Sequence, residues 1–336
     1  MILKRFPPTP IILSCLQIWL FSYLFFVYQH YLMFSVYLTT IVVLAVAAGF
    51  KYLAFEPVGE EKSRHVLFKD NLNDLPIYAH RGGGHDAPEN TIAAIREAKK
   101  NGADGIEVDL SFTKDNIAIL FHDETMERTT NGMGPLASKT FMEIRELDAA
   151  SNHIYRDRYK GEKIATLEEG IEECLKLKMK LILDVKEYDS RAVAIVTEMF
   201  SKHQELYKQA LVASFYPSFI YQLRRVDPNI VTAITFRPKF ISCTDIPNGR
   251  PRFDSWWKHK LAQAGDVALE WAFHNVIWYF TGVSAVLVHK DYLSAEYVRM
   301  WRARNIQVIA WTPNHRLEKE YLRKVLNVTY ISDTLL

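Results

Sequence analysis

The segments Tyr78-Ala79-His80-Arg81-Gly82-Gly83, Pro88-Glu89-Asn90-Thr91, Gly105-Ile106-Glu107-Val108-Asp109 and Phe121-His122-Asp123 follow one another closely along the chain. Together they supply two histidines, an arginine and a pair of alternating carboxylates, which is the inventory for cutting a phosphodiester with help from a metal ion. Glu107 and Asp109 stand one residue apart in an apolar stretch that reads as a strand, so both side chains face the same way and can share one hard cation. Phosphodiester cleavage also needs a proton taken from the attacking oxygen and one given to the leaving oxygen. Histidine titrates near enough to neutrality for either task, and His80 and His122 are the candidates. Arg81 offers a permanently charged planar fork that matches non-bridging phosphate oxygens. A single histidine at a strand end is ordinarily structural, and alternating Glu and Asp ordinarily mark a solvated strand face. Their occurrence together favours chemistry.

Elements able to gather these residues follow from the pattern downstream. Short β-branched runs at 77–79, 105–110, 117–121, 181–185, 210–214, 231–235, 285–288 and 308–311 alternate with helical spacing at 90–101, 166–178, 190–203, 216–226 and 294–304. Alternation of this kind predicts a parallel sheet with helical crossovers, and eight strands predict a closed (β/α)8 barrel of the TIM type. The link Thr113-Lys114-Asp115-Asn116 is too short for a helix, so the repeat is broken once. Barrel sites collect at the C-terminal ends of the strands. His80, Glu107, Asp109 and His122 fall there, as do Asp184 and Lys186 in Leu181-Ile182-Leu183-Asp184-Val185-Lys186, and Trp311 with Asn314 just beyond.

The chain has 336 residues and a formal net charge of +2, a length one α/β barrel can fill and a balance with no nucleic-acid footprint. Its three cysteines, Cys15, Cys174 and Cys243, are scattered and imply neither a disulfide framework nor a zinc site. Residues 6–50 carry no Asp, Glu, Lys or Arg, and stretches 11–28 and 31–50 are each about long enough to cross a bilayer. Residues 1–55 therefore read as a membrane anchor of one or two helices, too long for the core of a cleaved signal peptide. Gln29-His30 is the polar break. Lys4 and Arg5 before it and Lys51, Lys62 and Arg64 after it balance each other, so charge leaves the orientation open. Residues 56–76 read as a linker and 77–336 as the catalytic domain.

With HRG at His80, PENT at Pro88, ExD at Glu107, HD at His122, DxK at Asp184 and a WTxN-like run at Trp311, in that order, residues 77–333 resemble the glycerophosphodiester phosphodiesterase family. The resemblance implies a (β/α)8 barrel with a small inserted lobe at about 123–164, and metal ligation by Glu107, Asp109 and Asp184. Most relatives carry Glu at the third of these positions. The ion implied is a divalent cation, Mg2+ first and Ca2+ as the alternative. His80 and His122 become the general acid/base pair, with Arg81, Lys186 and Trp311 on the substrate and its phosphate. The expected substrates are glycerophosphodiesters, glycerophosphoinositol or a similar diester, and lysophospholipids, cleaved to glycerol phosphate or lysophosphatidic acid plus an alcohol. Phospholipases of the sphingomyelinase D or phosphoinositide-cleaving type share some of this chemistry, but the PENT and HD elements weigh against them. A non-catalytic membrane adaptor binding a signalling partner is the alternative of a different class; no histidine or ExD carboxylate is missing to favour it.

Residues 252–282 are longer than a barrel connection needs and hold four of the seven tryptophans. Residues 271–288 carry no formal charge, but the last of them are needed as a strand, so the stretch reads as an interfacial element rather than a span. Asn327-Val328-Thr329 is a glycosylation sequon. With the resemblance it implies a barrel on the lumenal or extracellular side of a plasma membrane or endomembrane.

Overall fold

The computed structural model describes residues 9–28, 32–69, 74–186, 189–244 and 249–335. Lys4, Arg5, Gln29 and His30 lie outside them. In chain order the elements are α1 (Thr9–Tyr28), α2 (Leu32–Leu53), α3 (Glu60–Leu67), β1 (Ile77–Ala79), α4 (Ile92–Lys100), β2 (Gly105–Phe112), β3 (Ala118–Leu120), α5 (Phe141–Arg145) and α6 (Leu167–Lys176). Then come β4 (Lys180–Val185), α7 (Ser190–Lys202), α8 (Leu206–Gln209), β5 (Ala210–Ser214), α9 (Pro217–Val226), β6 (Thr232–Phe236), α10 (Trp256–Ala272) and α11 (Trp278–Thr281). The chain ends with β7 (Ala285–His289), α12 (Ala295–Arg302), β8 (Gln307–Trp311), α13 (Arg316–Glu320) and β9 (Thr329–Ser332). Two compact units result: Met1–Pro57 with Arg237–Gly282, and Val58–Phe236 with Val283–Leu336.

The second unit is a closed parallel barrel in which β1 pairs with β2, and β4 to β9 continue in sequence order until β9 pairs with β1. The fold class expected from the pattern is present, but two strand assignments change. The run read as the third barrel strand is β3, which lies antiparallel on β2, with Leu110 opposite Leu120, outside the ring. Only a crossover of a dozen or more residues returns a chain parallel to its neighbour, and Thr113–Asn116 can make only a hairpin turn. Asn116 takes the positive φ of 62° that such a turn needs. The eighth barrel strand is instead β9, whose four residues are all buried and which closes the ring between β8 and β1.

Alternation along the strands decides what faces the barrel axis. Tyr78, Ile182, Leu211, Ala213, Ala233, Ala285, Leu287, Ile309 and Ile331 share one buried cluster. One step of period two further along, toward the C-terminal ends, the same inward rows reach Asp184, His289 and Trp311, while His80 and Asp333 directly follow β1 and β9. Catalytic candidates are thus the polar continuation of the core rows. The other end is plugged by Val58, Val66 and Leu67, which join that cluster, so part of the stretch read as a linker is helix α3 packed onto the barrel. Between β3 and α6 a separate apolar cluster of Ile119, Met126, Leu136, Ile144 and Ile164 gives the inserted lobe a core of its own.

In the first unit α1 and α2 pack together. Among the described residues one helix, Val36–Leu53, is long and apolar enough to cross a membrane, and Pro10–Phe26 is a shorter apolar helix.

Candidate active site

Glu107 and Asp109 on β2 and Asp184 on β4 are all buried, and one carboxylate oxygen of each lies within 4.8 Å of the others. The register explains the meeting: Asp109 is the direct partner of Asp184 across the β2–β4 ladder, and Glu107 is one alternation earlier on the same face. Burial, and then the charges of Asp109 and Asp184, raise Glu107 well above the usual carboxylate range. Asp184 is pushed up to about 7, first by burial and then by Asp109. Burial opposes ionisation of Asp109 too, but Lys186, Arg81 and His122 outweigh it and hold the group ionised. Lys186 Nζ donates to Asp109 Oδ1 at 2.5 Å, and Arg81 Nε stands 3.5 Å from Asp109 Oδ2. Asp184 Oδ1 is buried with no hydrogen-bond partner. An unpartnered buried carboxylate oxygen beside two more carboxyls, two of the three reluctant to ionise, fits a divalent cation bound by oxygen donors.

Each histidine is held by its own carboxylate. His80 Nδ1 is 2.5 Å from Asp333 Oδ1, and Asp333 is clamped by Asn314, whose Nδ2 donates to Oδ2 at 2.6 Å and whose Oδ1 accepts the Asp333 N–H at 2.9 Å. His122 Nδ1 is 2.5 Å from Asp123 Oδ1. A carboxylate on Nδ1 fixes ring orientation and leaves Nε2 to exchange protons. His80 Nε2 points toward Glu107, 3.8 Å from Oε2. Burial lowers the His122 pKa, against the pull of Asp123 and Asp109.

Arg81 and Arg128 knit the two sides together. The Arg81 backbone N–H donates to Glu107 Oε2 at 2.9 Å, and its guanidinium donates to Glu89 at 3.0 Å. Arg128, on the inserted lobe, forks onto both Glu89 oxygens at 2.7 Å and also reaches Asp123. Arg81 adopts φ 54° and is followed by Gly82 at φ 80°, where a Cβ would come within 2.7 Å of the Ala94 Cβ. Only glycine fits there. A cleft of about 490 Å3 adjoins His80 and Arg81, with Glu89 and Asp333 on the barrel side and Arg128, Asn152, His153 and Ile154 on the lobe side.

Seven of the eight residues expected from sequence lie on barrel strands or in the loops that follow them; His122, expected at the end of a third barrel strand, instead follows β3, the antiparallel strand outside the ring. Glu107, Asp109, Asp184, Lys186 and Arg81 meet directly, and His80 and His122 adjoin them. Trp311 ends β8, its ring edge-on to His289 at 5.0 Å and to Phe215 at 6.1 Å. Sequence reasoning gave no role to Asp123, Asp333, Asn90, Asn314, Glu89 or Arg128. Asn90 donates to Asp109 Oδ2 at 2.8 Å and accepts the Asp109 N–H at 3.1 Å, so the PENT run orients a carboxylate of the cluster. Asp123 was visible as the neighbour of His122, whereas Asp333 had no signal until β9 was known to close the barrel.

Known proteins resemble this chain over most of its length. The profile of the Glycerophosphoryl diester phosphodiesterase family matches residues 80–335. The chain is 45% identical over 287 residues to Glycerophosphodiester phosphodiesterase 1 of Bos taurus and 43% identical over 286 residues to that of Homo sapiens, covering 85% of this chain and 85% of the relative in both cases. Among solved structures, a phosphodiesterase from Oleispira antarctica in complex with the product sn-glycerol-3-phosphate superposes with a TM-score of 0.61 at 25% identity, over 77% of this chain and 92% of that one.

Proposed function

The chain belongs to the glycerophosphoryl diester phosphodiesterase family and is an enzyme of that class, and from that premise we propose that it hydrolyses glycerophosphodiesters by His80/His122 acid–base catalysis beside a divalent cation on Glu107, Asp109 and Asp184. The observation that carries the reading is the pair of carboxylate-held imidazoles, His80 on Asp333 and His122 on Asp123, next to three buried carboxyls. A cation held there, Mg2+ by preference or Ca2+, would neutralise the carboxyls and polarise a non-bridging phosphate oxygen.

The remaining steps belong to side chains. Arg81 and Lys186 hold the negative charge that grows on the phosphate oxygens. One histidine takes the proton of the glycerol hydroxyl next to the ester as that oxygen bonds to phosphorus. The other gives a proton to the departing alcohol oxygen as its P–O bond breaks. Water then opens the resulting cyclic phosphate with the two roles exchanged, and glycerol phosphate leaves. The cleft between His80 and the lobe is where the alcohol part is held, Trp311 lies on the substrate side of β8, and headgroups such as inositol, or a lysophospholipid giving lysophosphatidic acid, are the candidates. Residues 1–55 anchor the enzyme in a membrane, with the barrel on the lumenal or extracellular side. Purified full-length protein assayed on a panel of glycerophosphodiesters with Mg2+, Ca2+ or EDTA tests the proposal; turnover that survives EDTA would refute the cation's part in it.

A further inference from the structure

The first unit joins two segments far apart in sequence, the N-terminal apolar helices and residues 237–282. The Phe55 N–H donates to the Phe280 carbonyl at 2.9 Å, and the rings of Phe50 and Phe280 lie 4.9 Å apart. Gly282, at φ 60°, presses so close that a Cβ would sit 2.4 Å from the Phe55 carbonyl oxygen. The turn Phe273–Ile277 between α10 and α11 touches α1. The end of the insertion is therefore fastened to the place where α2 ends.

Helix α10 has one docked face and one free face. Asp266 accepts the backbone N–H groups of Ile241 at 2.7 Å and Ser242 at 3.1 Å, Gly265 lies against the Ile241 side chain, and Ala262 is buried. At about 100° per residue, Trp256, Trp257, Leu261, Val267 and Trp271 fall on the opposite side of the helix. All five are exposed, Trp256 by 78% and Val267 by 70%. Lys260 is the single charge among them. Lys258 at the edge lies over the Trp257 ring, Nζ 5.6 Å from its centroid.

We infer that this face lies in the headgroup region of a lipid bilayer, in the same leaflet from which α2 emerges, so that the enzyme is held by a helix lying along the surface as well as by its N-terminal helices. Three observations select lipid over a protein partner. The face is continuous within one compact unit with α2, which can itself cross a bilayer and exposes Tyr37, Ile41 and Leu44. Tryptophans with flanking lysines suit the headgroup boundary, where rings are half wet and ammonium groups reach phosphates. Lys258, Lys260, Asp266 and Glu270 make α10 too polar to cross, while an apolar face bordered by polar residues suits a helix lying in the interface. The inference rests on the membrane reading of α2.

The experiment is site-directed spin labelling of the full chain in phosphatidylcholine–phosphatidylserine vesicles. Cys15→Ala removes the only cysteine that is not buried. Single cysteines then replace Val267, Glu270 or Leu44, and each labelled protein is first checked for activity on a water-soluble glycerophosphodiester. The nitroxide at Val267 should lie about 5–10 Å below the phosphates, accessible to oxygen and shielded from a nickel chelate. The label at Glu270 should meet the chelate freely, and the one at Leu44 should lie in the hydrocarbon. Val267 as open to the chelate as Glu270, with Leu44 in the hydrocarbon, overturns this inference alone. Spin–spin broadening at Val267 that disappears on dilution with unlabelled protein overturns it in favour of a second copy on this face. Leu44 in water overturns the anchor and this inference together.

Discussion

Asp333 Oδ1 lies 2.5 Å from His80 Nδ1 across 253 positions of sequence, and the closing strand β9 brings them together. Asp333→Asn keeps the shape but removes the charge that steadies a protonated imidazole. We expect kcat to fall roughly 10²-fold, about 2.7 kcal/mol of transition-state stabilisation, with an unchanged circular dichroism spectrum. An unaltered pH–rate profile at reduced rate would show that Asp333 acts structurally and does not tune His80.

That pairing also predicts an acid limb of stability. Burial opposes ionisation of Asp333, but the hydrogen bond with His80 outweighs it and holds the carboxyl below its usual value. A depressed folded pKa stabilises the protein above the unfolded value of about 4, and the gain is lost as pH falls through the folded value. Between about pH 5 and pH 3 the wild-type Tm should therefore fall more steeply than that of Asp333→Asn. Parallel curves in differential scanning fluorimetry would remove Asp333 from the acid response.

Much of this centre was legible from sequence because its members are inward-facing strand residues, and alternation tells which they are. Glu107 and Asp109 needed only period two, and the rule that barrel sites gather at strand ends placed Asp184 near them, while its part as a ligand came from the family resemblance. Asp333 and Arg128 were not legible for different reasons. β9 is four residues long and follows a helix, so no alternation announces it. Arg128 sits in a lobe whose path depends on the small core around Ile144, and nothing local ties it to Glu89. The hairpin β2–β3 was misread as two barrel strands because apolar composition does not distinguish a parallel strand from its antiparallel partner; the four-residue link did carry that information.

If His80 and His122 are the proposed acid–base pair, His80→Ala and His122→Ala should each reduce kcat by roughly a hundredfold or more while leaving the protein folded. Turnover near wild type in either variant reassigns the proton transfers.

Binding of a divalent cation should release protons. Asp184 is pushed up to about 7 and Glu107 is raised well above its usual range, so near pH 6.5 the cluster carries protons that an incoming ion must displace. Calorimetric titration with Mg2+ should give a binding enthalpy that varies with the ionisation enthalpy of the buffer. Glu107→Gln and Asp109→Asn should both weaken binding, and unchanged affinity in both moves the ion elsewhere.

Arg128 holds Glu89 and Asp123 at once, joining the lobe to the catalytic loops. Lysine keeps the charge but cannot fork onto two carboxylates. Arg128→Lys should loosen the lobe wall of the cleft and raise KM by roughly tenfold, more than it lowers kcat, the sign of lost ground-state positioning. An equal fall in kcat with KM unchanged would instead place Arg128 in the orientation of His122 through Asp123.

Side of membrane is the last expectation, and the sequon tests it. Asn327 is exposed just before β9, with φ 54° and its carbonyl held by Arg302 at 2.6 Å, whereas Thr329 is buried within the strand. A transferase that must read both residues can do so only before β9 closes the barrel, so glycosylation competes with folding. On the lumenal side this predicts partial occupancy: a glycosidase-sensitive fraction of the full chain in cells, absent from Asn327→Gln. A change that slows closure, such as Ile331→Ala in the buried face of β9, should increase that fraction, because a cavity in the core costs roughly 2–5 kcal/mol. Protease added to sealed microsomes should leave the barrel intact. A barrel digested without detergent, with no glycosylated fraction even in Ile331→Ala, puts the catalytic unit in the cytosol.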